Sequence, residues 1–218
     1  MTQPGPHIGI LLYDGYSLLD AAGPADLLSR LPGARVTMIA EHRGPVRADT
    51  GQVAMVADFA VGELDRMDVL LVPGGGVRGT TDAMKNETLV DWIREVDRHT
   101  TWTTSVCTGS LILGRAGLLR DRATTYWASA DYLETTFGVE YVPARYVRTG
   151  KIITAAGVAA GIDMALYLAV QLVGETVARA LQLAVEYDPQ PPLDSGNAAK
   201  ASEELKELSV RLLDDAAR

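Results

Sequence analysis

The residue in this chain with the greatest capacity for covalent chemistry is its single cysteine, Cys107. It follows the apolar run Thr101 to Val106 and precedes Thr108-Gly109-Ser110, which opens a helix. A side chain on a sharp strand-to-helix turn is pushed out of the fold toward the crevice beyond the carboxyl ends of the strands, as in a nucleophile elbow. Unpaired N–H groups at the helix start favour thiolate over thiol, and the thiolate is the nucleophile. The competing reading is a small buried hydrophobe, the usual state of a free cysteine. Asp20 is the second candidate. Most acids are solvated on surfaces, but Asp20 has apolar neighbours in Leu18-Leu19-Asp20-Ala21-Ala22. A partly desolvated carboxyl has a raised pKa, holds a proton near neutral pH and can exchange it with a reacting atom. Pro73-Gly74-Gly75-Gly76 is either a tight turn or a loop whose N–H groups approach a ligand and stabilise negative charge. Thr108 offers a hydroxyl and an N–H beside the thiol, or a helix cap.

Several chemistries lack their residues. One cysteine makes no internal disulfide. The histidines His7, His42 and His99 lie far apart, and none is spaced with Cys107 as a metal-ligand pair, so no metal is expected. A Cys-His hydrolase would need one of them beside the thiol in space. The glycine run lacks both the Gly-Lys-Ser/Thr ending of a phosphate loop and the dinucleotide fingerprint, and no cofactor is expected.

Hydrophobic patterning predicts the elements that position these residues. Strands are expected at His7 to Tyr13, Ala34 to Ala40, Val69 to Val72, Thr101 to Val106, a short piece at Thr124 to Tyr126, and Lys151 to Thr154. Val139 to Val142 and Arg145 to Val147 look extended, and Val46 to Val56 reads as a hairpin. Helices are expected at Ser17 to Leu31, where Gly23-Pro24 should break or restart the turn, and at Glu87 to His99, Ser110 to Leu119, Ser129 to Phe137, Gly161 to Val173 and Glu175 to Glu186. Alternating strands and helices predict an α/β fold with a mostly parallel sheet flanked by helices.

The 218 residues suffice for one large domain, expected at 1–190. Residues 191–218 are expected to form a tail, with a proline-rich linker over Pro189 to Gly196. A charged helix follows over Ala198 to Arg218, with Leu205, Leu208, Leu212 and Leu213 on one side. Its resting place is open: its own domain, a twin subunit, or solvent. The net charge of −8, with both signs interleaved, argues against nucleic acid as a main partner. No run is long and apolar enough for a membrane span, and no secretory signal is visible, so a reducing cytoplasm is the expected setting.

From roughly His7 to Tyr187, the chain resembles the ThiJ/PfpI superfamily. The segments that carry the resemblance are Leu18 to Pro24, Val72-Pro73-Gly74-Gly75, Thr104 to Ser110, and Gly157 to Asp163, with Gln182 to Pro192 as a matching ending. The resemblance implies a class I glutamine amidotransferase-like, flavodoxin-like sandwich and a homodimer. Within the superfamily, the isocyanide hydratases are most similar. The commoner superfamily pattern has a glutamate near the end of the first strand and often a histidine after the cysteine. Here Asp14-Gly15 follow the strand and Thr108 follows Cys107, which counts against peptidase and glyoxalase activities. Two positions also depart from the hydratases: Tyr126 stands where histidine is usual before Trp127, and Ala155-Ala156 where glycines are usual before Gly157.

The resemblance implies hydration of an organic isocyanide to an N-substituted formamide, with no cofactor. Cys107 would attack the carbon, Asp20 would handle the proton, and Thr108 would assist. Gly75, Gly76, Trp127 and Ala156 would surround the substrate or stabilise charge. Two other classes remain: an oxidation sensor that uses the same thiolate, and a small-molecule-binding module derived from a regulator.

Overall fold

The computed structural model describes residues 5–216. Strand β1 (His7–Leu11) lies near the middle of a seven-stranded sheet and leads into helix α1 (Leu18–Leu28). Strand β2 (Arg35–Ala40) follows, then the antiparallel pair β3 (Gly44–Arg47) and β4 (Ala54–Ala57), and the edge strand β5 (Phe59–Ala60). Strand β6 (Val69–Val72) feeds α2 (Val77–Lys85) and α3 (Glu87–Asp97). Strand β7 (Trp102–Val106) ends at Cys107 and is followed by α4 (Gly109–Arg115). The short strands β8 (Arg122–Ala123) and β9 (Glu140–Tyr141) pair beside α5 (Ala130–Phe137). Strands β10 (Tyr146–Thr149) and β11 (Ile152–Ala155) precede α6 (Ala160–Val173), α7 (Glu175–Ala184) and the tail helix α8 (Glu203–Ala216).

The sheet order is β10-β11-β7-β6-β1-β2-β5. Every pairing in it is parallel except β10 with β11. Strands β6 and β7 are buried along their whole length. This is the pattern of a parallel sheet covered on both faces, and it explains why they read as continuous apolar or β-branched runs. The two strands are neighbours, so Pro73-Gly74-Gly75 and Cys107-Thr108 emerge side by side. The fold is the expected mostly parallel α/β sandwich.

Two local expectations are corrected, and one element was not foreseen. Helix α1 runs unbroken through Pro24, which is buried. Pro24 lies against α6, where a Cβ on Gly161 would stand 3.5 Å from its ring, and tertiary packing outweighs its poor propensity. Thr124 to Tyr126 are not a strand, which lies just before at Arg122–Ala123. Thr124 N–H donates to Thr154 Oγ1 at 2.9 Å and Thr125 Oγ1 donates to Cys107 O at 3.1 Å, so side-chain bonds replace a ladder. Helix α2, Val77–Lys85, had no counterpart in the pattern, because Val-Arg-Gly-Thr-Thr-Asp-Ala-Met-Lys carries few apolar residues and a central glycine.

The crossing of the β6 and β7 ends tolerates no extra atom. A Cβ on Gly109, the first residue of α4, would lie 2.2 Å from Val72 O and 2.8 Å from Pro73 C. Both neighbours are backbone and have no rotamer with which to escape. Gly109→Ala is therefore expected to cost about 3 kcal/mol, lowering Tm by roughly 6–12 °C in a thermal melt. An unchanged melt would show that β6 and α4 are less closely apposed.

Candidate active site

Cys107 has φ 56°, the left-handed region that costs a non-glycine residue ~1–2 kcal/mol. The surroundings hold it there. Its N–H is shared between Ala155 O at 3.1 Å and Ala156 O at 2.9 Å. Its carbonyl accepts from Thr125 Oγ1 and Ser110 Oγ, each at 3.1 Å. This is the strained strand-to-helix turn expected at the end of β7, and such strain persists only where neighbours over-determine it. Cys107 is 7% exposed and lines a cavity of about 530 Å³.

Asp20, on the first turn of α1, is fully buried rather than solvated. Its Oδ2 accepts the Gly74 N–H at 2.9 Å, while Oδ1 has no hydrogen-bond partner among the described residues. Burial raises its pKa from 3.8 to about 7, against the opposing pull of the Gly74 N–H. It is not part of the cavity wall and lies behind Gly74 and the cysteine. A Cβ on Gly74 would stand 2.6 Å from Thr108 N and 2.8 Å from Cys107 Cβ, so only glycine lets the carboxyl-holding loop approach the thiol so closely.

The sulfur's state differs from the expectation of a preformed thiolate. Burial, and then the charge of Asp20, push the Cys107 thiol well above its ordinary range. The backbone N–H groups of Thr108 and Val158 and the Thr108 hydroxyl pull the other way without prevailing. Helix α4 has only seven residues, too little to offset both desolvation and a neighbouring anion. At neutral pH the pair rests as a thiol beside a carboxyl poised between its two forms.

The glycine loop also has a different task from the one expected. Gly75 N–H donates to Thr108 Oγ1 at 3.0 Å and Gly76 N–H to Gly15 O at 3.1 Å, so both are already engaged. Gly75 and Gly76 line the cavity, but the loop's N–H groups orient Asp20 and Thr108. The backbone groups that favour the ionised sulfur belong to Thr108 and Val158.

Ala156 contributes its carbonyl to Cys107 N–H and does not line the cavity. Trp127 is half-buried in a one-turn 3₁₀ helix, outside the cavity wall. Tyr126 takes that place, tilted against Trp127 with ring centroids 5.4 Å apart.

Sequence reasoning missed Thr80, Asp49 and Val158. Thr80 Oγ1 lies 2.9 Å from Thr108 Oγ1 and donates to Gly75 O at 3.1 Å, but it comes from the unforeseen α2. Asp49 lines the cavity and accepts the Ser17 hydroxyl at 3.0 Å. No motif marked Thr80 or Asp49, and Val158 lay inside the Gly157 to Asp163 segment without being singled out. The tail also finds its place, as Val210, Leu213 and Asp214 of α8 form part of the cavity wall. All four tail leucines are exposed, Leu213 at 51%, and of the four only Leu213 is part of that wall. The described residues hold no cluster of three or more metal-ligating side chains and no helix long and apolar enough to cross a membrane.

Comparison with known proteins gives this geometry a context. The chain is 44% identical over 192 residues to the isonitrile hydratase of Pseudomonas putida, covering 87% of this chain and 82% of that protein. It is 31% identical to the HTH-type transcriptional regulator CdhR of Pseudomonas aeruginosa, covering 83% of this chain but 53% of the regulator. A crystal structure of a ThiJ/PfpI family protein from Pseudomonas syringae superposes with a TM-score of 0.89 at 34% identity, covering 98% of this chain and 90% of that one. The DJ-1/PfpI family pattern matches residues 6–171, the stretch that contains Asp20, the glycine loop and the Cys107 turn, and the chain belongs to the DJ-1/PfpI family.

Proposed function

We propose that this protein hydrates organic isocyanides to N-substituted formamides, with Cys107 as the nucleophile and Asp20 as its proton partner. The observation that carries this reading is the buried carboxyl of Asp20, with one oxygen bound by Gly74 N–H and the other unpartnered, behind a cavity-lining thiol. The 44% identity to an isonitrile hydratase supports the same substrate class.

The chemistry follows from the pKa order. Asp20 carboxylate accepts the thiol proton as Sγ bonds to the terminal carbon of R–N≡C. The same proton then goes to that carbon, giving the thioimidate Cys–S–CH=N–R. Water adds across the C=N bond, placing hydroxyl on carbon and hydrogen on nitrogen. The C–S bond breaks as the hydroxyl proton leaves, releasing R–NH–CHO, and sulfur recovers a proton. The sum is R–N≡C plus water. Covalent catalysis here replaces one difficult addition by two easier steps. Developing charge on sulfur is stabilised by the Thr108 and Val158 N–H groups in a site shielded from water.

The protonated resting thiol weighs against an oxidation sensor, which depends on an accessible thiolate. Incubating the full chain with benzyl isocyanide and measuring N-benzylformamide by chromatography and mass spectrometry tests the proposal. Many turnovers per chain are expected. Formamide no faster than in buffer would refute it.

A further inference from the structure

Helix α8, which the sequence left without a place, lends three residues to the outer wall of the cavity. Val210 and Leu213 line it together with Met84, Leu111 and Cys107, and Leu213 is half-exposed. Ser209, the residue before Val210, lies near enough to the Tyr126 hydroxyl to influence its ionisation. Ser209 Oγ in turn donates to Lys206 O at 2.8 Å within the helix. The wall around the thiol is thus largely apolar: Val77, Met84, Leu111, Tyr126, Val158 and Leu213. Its charged members are two carboxylates, Asp49 and Asp214, and among the described residues it has no lysine, arginine or histidine. The whole chain is also acidic, with a net charge of −8.

Resting on the hydratase reading, we infer that α8 is the specificity element of the site and selects apolar isocyanides against anionic ones. Leu213 and Val210 cover the substituent, and Asp214 at the exposed rim turns away anions. An anionic substituent would have to enter a cleft of its own sign and lose its hydration without a cationic partner. A neutral substituent meets neither obstacle. It loses apolar area to Leu213 and Val210, which raises affinity in proportion to the area covered.

The test compares kcat/KM, at low ionic strength, for benzyl isocyanide, methyl isocyanoacetate and isocyanoacetate. The last two differ in one charge and little else near the reacting carbon. The expected result is at least tenfold lower kcat/KM for the anion than for its ester. Asp214→Asn should narrow that ratio at least threefold. Leu213→Ala should raise KM for benzyl isocyanide about tenfold while changing kcat less, the signature of lost substrate binding. Equal rates for ester and anion, or a ratio indifferent to Asp214→Asn, would overturn the inference while leaving the hydratase reading standing. No formamide from any of the three would remove both.

Discussion

Cys107→Ala is expected to reduce formamide production to the rate in buffer, a loss of at least ~10³-fold in kcat/KM, while leaving the fold in place. The second half matters as much as the first. Alanine fits where the thiol stood and occupies the same left-handed turn at much the same strain, since φ at position 107 is 56° and both residues carry a Cβ. The bonds that hold the turn come from the backbone of Ala155 and Ala156 and from the Thr125 and Ser110 hydroxyls, and none involves sulfur. The variant should also be more stable toward high pH, because it removes a thiol that folding keeps protonated. Parallel circular dichroism and turnover measurements separate the two effects. Retained turnover in the folded alanine variant would exclude a covalent route through this sulfur.

Much of this site was legible because the strands announce themselves. Val69 to Val72 and Thr101 to Val106 are short apolar or β-branched runs, the first cut off at once by Pro73-Gly74 and the second soon after by Gly109, so the ends carrying Gly74 and Cys107 could be located in the chain. Their adjacency comes from the order of a sheet in which β6 pairs with β7. Asp20 was noticed for its apolar neighbours, and its full burial agrees with that reasoning. What could not be read was anything decided by competition between distant groups. The thiol's protonation depends on desolvation and on a carboxylate 87 positions away in the chain. The N–H groups of Gly75 and Gly76 looked free in sequence, but they are taken by Thr108 and Gly15. Helix α2, with its Thr80, is held by neighbours more than by its own propensity. The tail helix has two apolar sides, and only coordinates tell that Val210 and Leu213 face the cavity while Leu205, Leu208 and Leu212 do not.

Asp20→Asn should separate the proposed catalytic role of this acid from its cost to the fold, because the two act in opposite directions. Asparagine keeps an oxygen to accept the Gly74 N–H and the shape of the side chain, but it cannot take a proton from sulfur. Loss of this general base is expected to lower kcat/KM by ~10²–10⁴-fold. The pH profile should change as well. In the native enzyme kcat/KM should climb as Asp20 ionises near pH 7 and then level off. In the variant only the small thiolate fraction can react, so residual activity should rise about tenfold per pH unit from 6 to 9 without a plateau. Stability should move the other way. Folding raises the Asp20 pKa from 3.8 to about 7, so between those values the native state binds more protons than the unfolded chain. Native stability therefore falls as pH rises through that window and stays low above it, by roughly 4 kcal/mol in total. The asparagine variant lacks this dependence. Its stability relative to the native protein should increase steadily from pH 4 to pH 7 in urea unfolding, whatever constant offset the buried amide adds. A difference independent of pH would mean that the carboxyl is hydrated in the folded protein, and a variant of native activity would mean that sulfur finds its proton partner elsewhere.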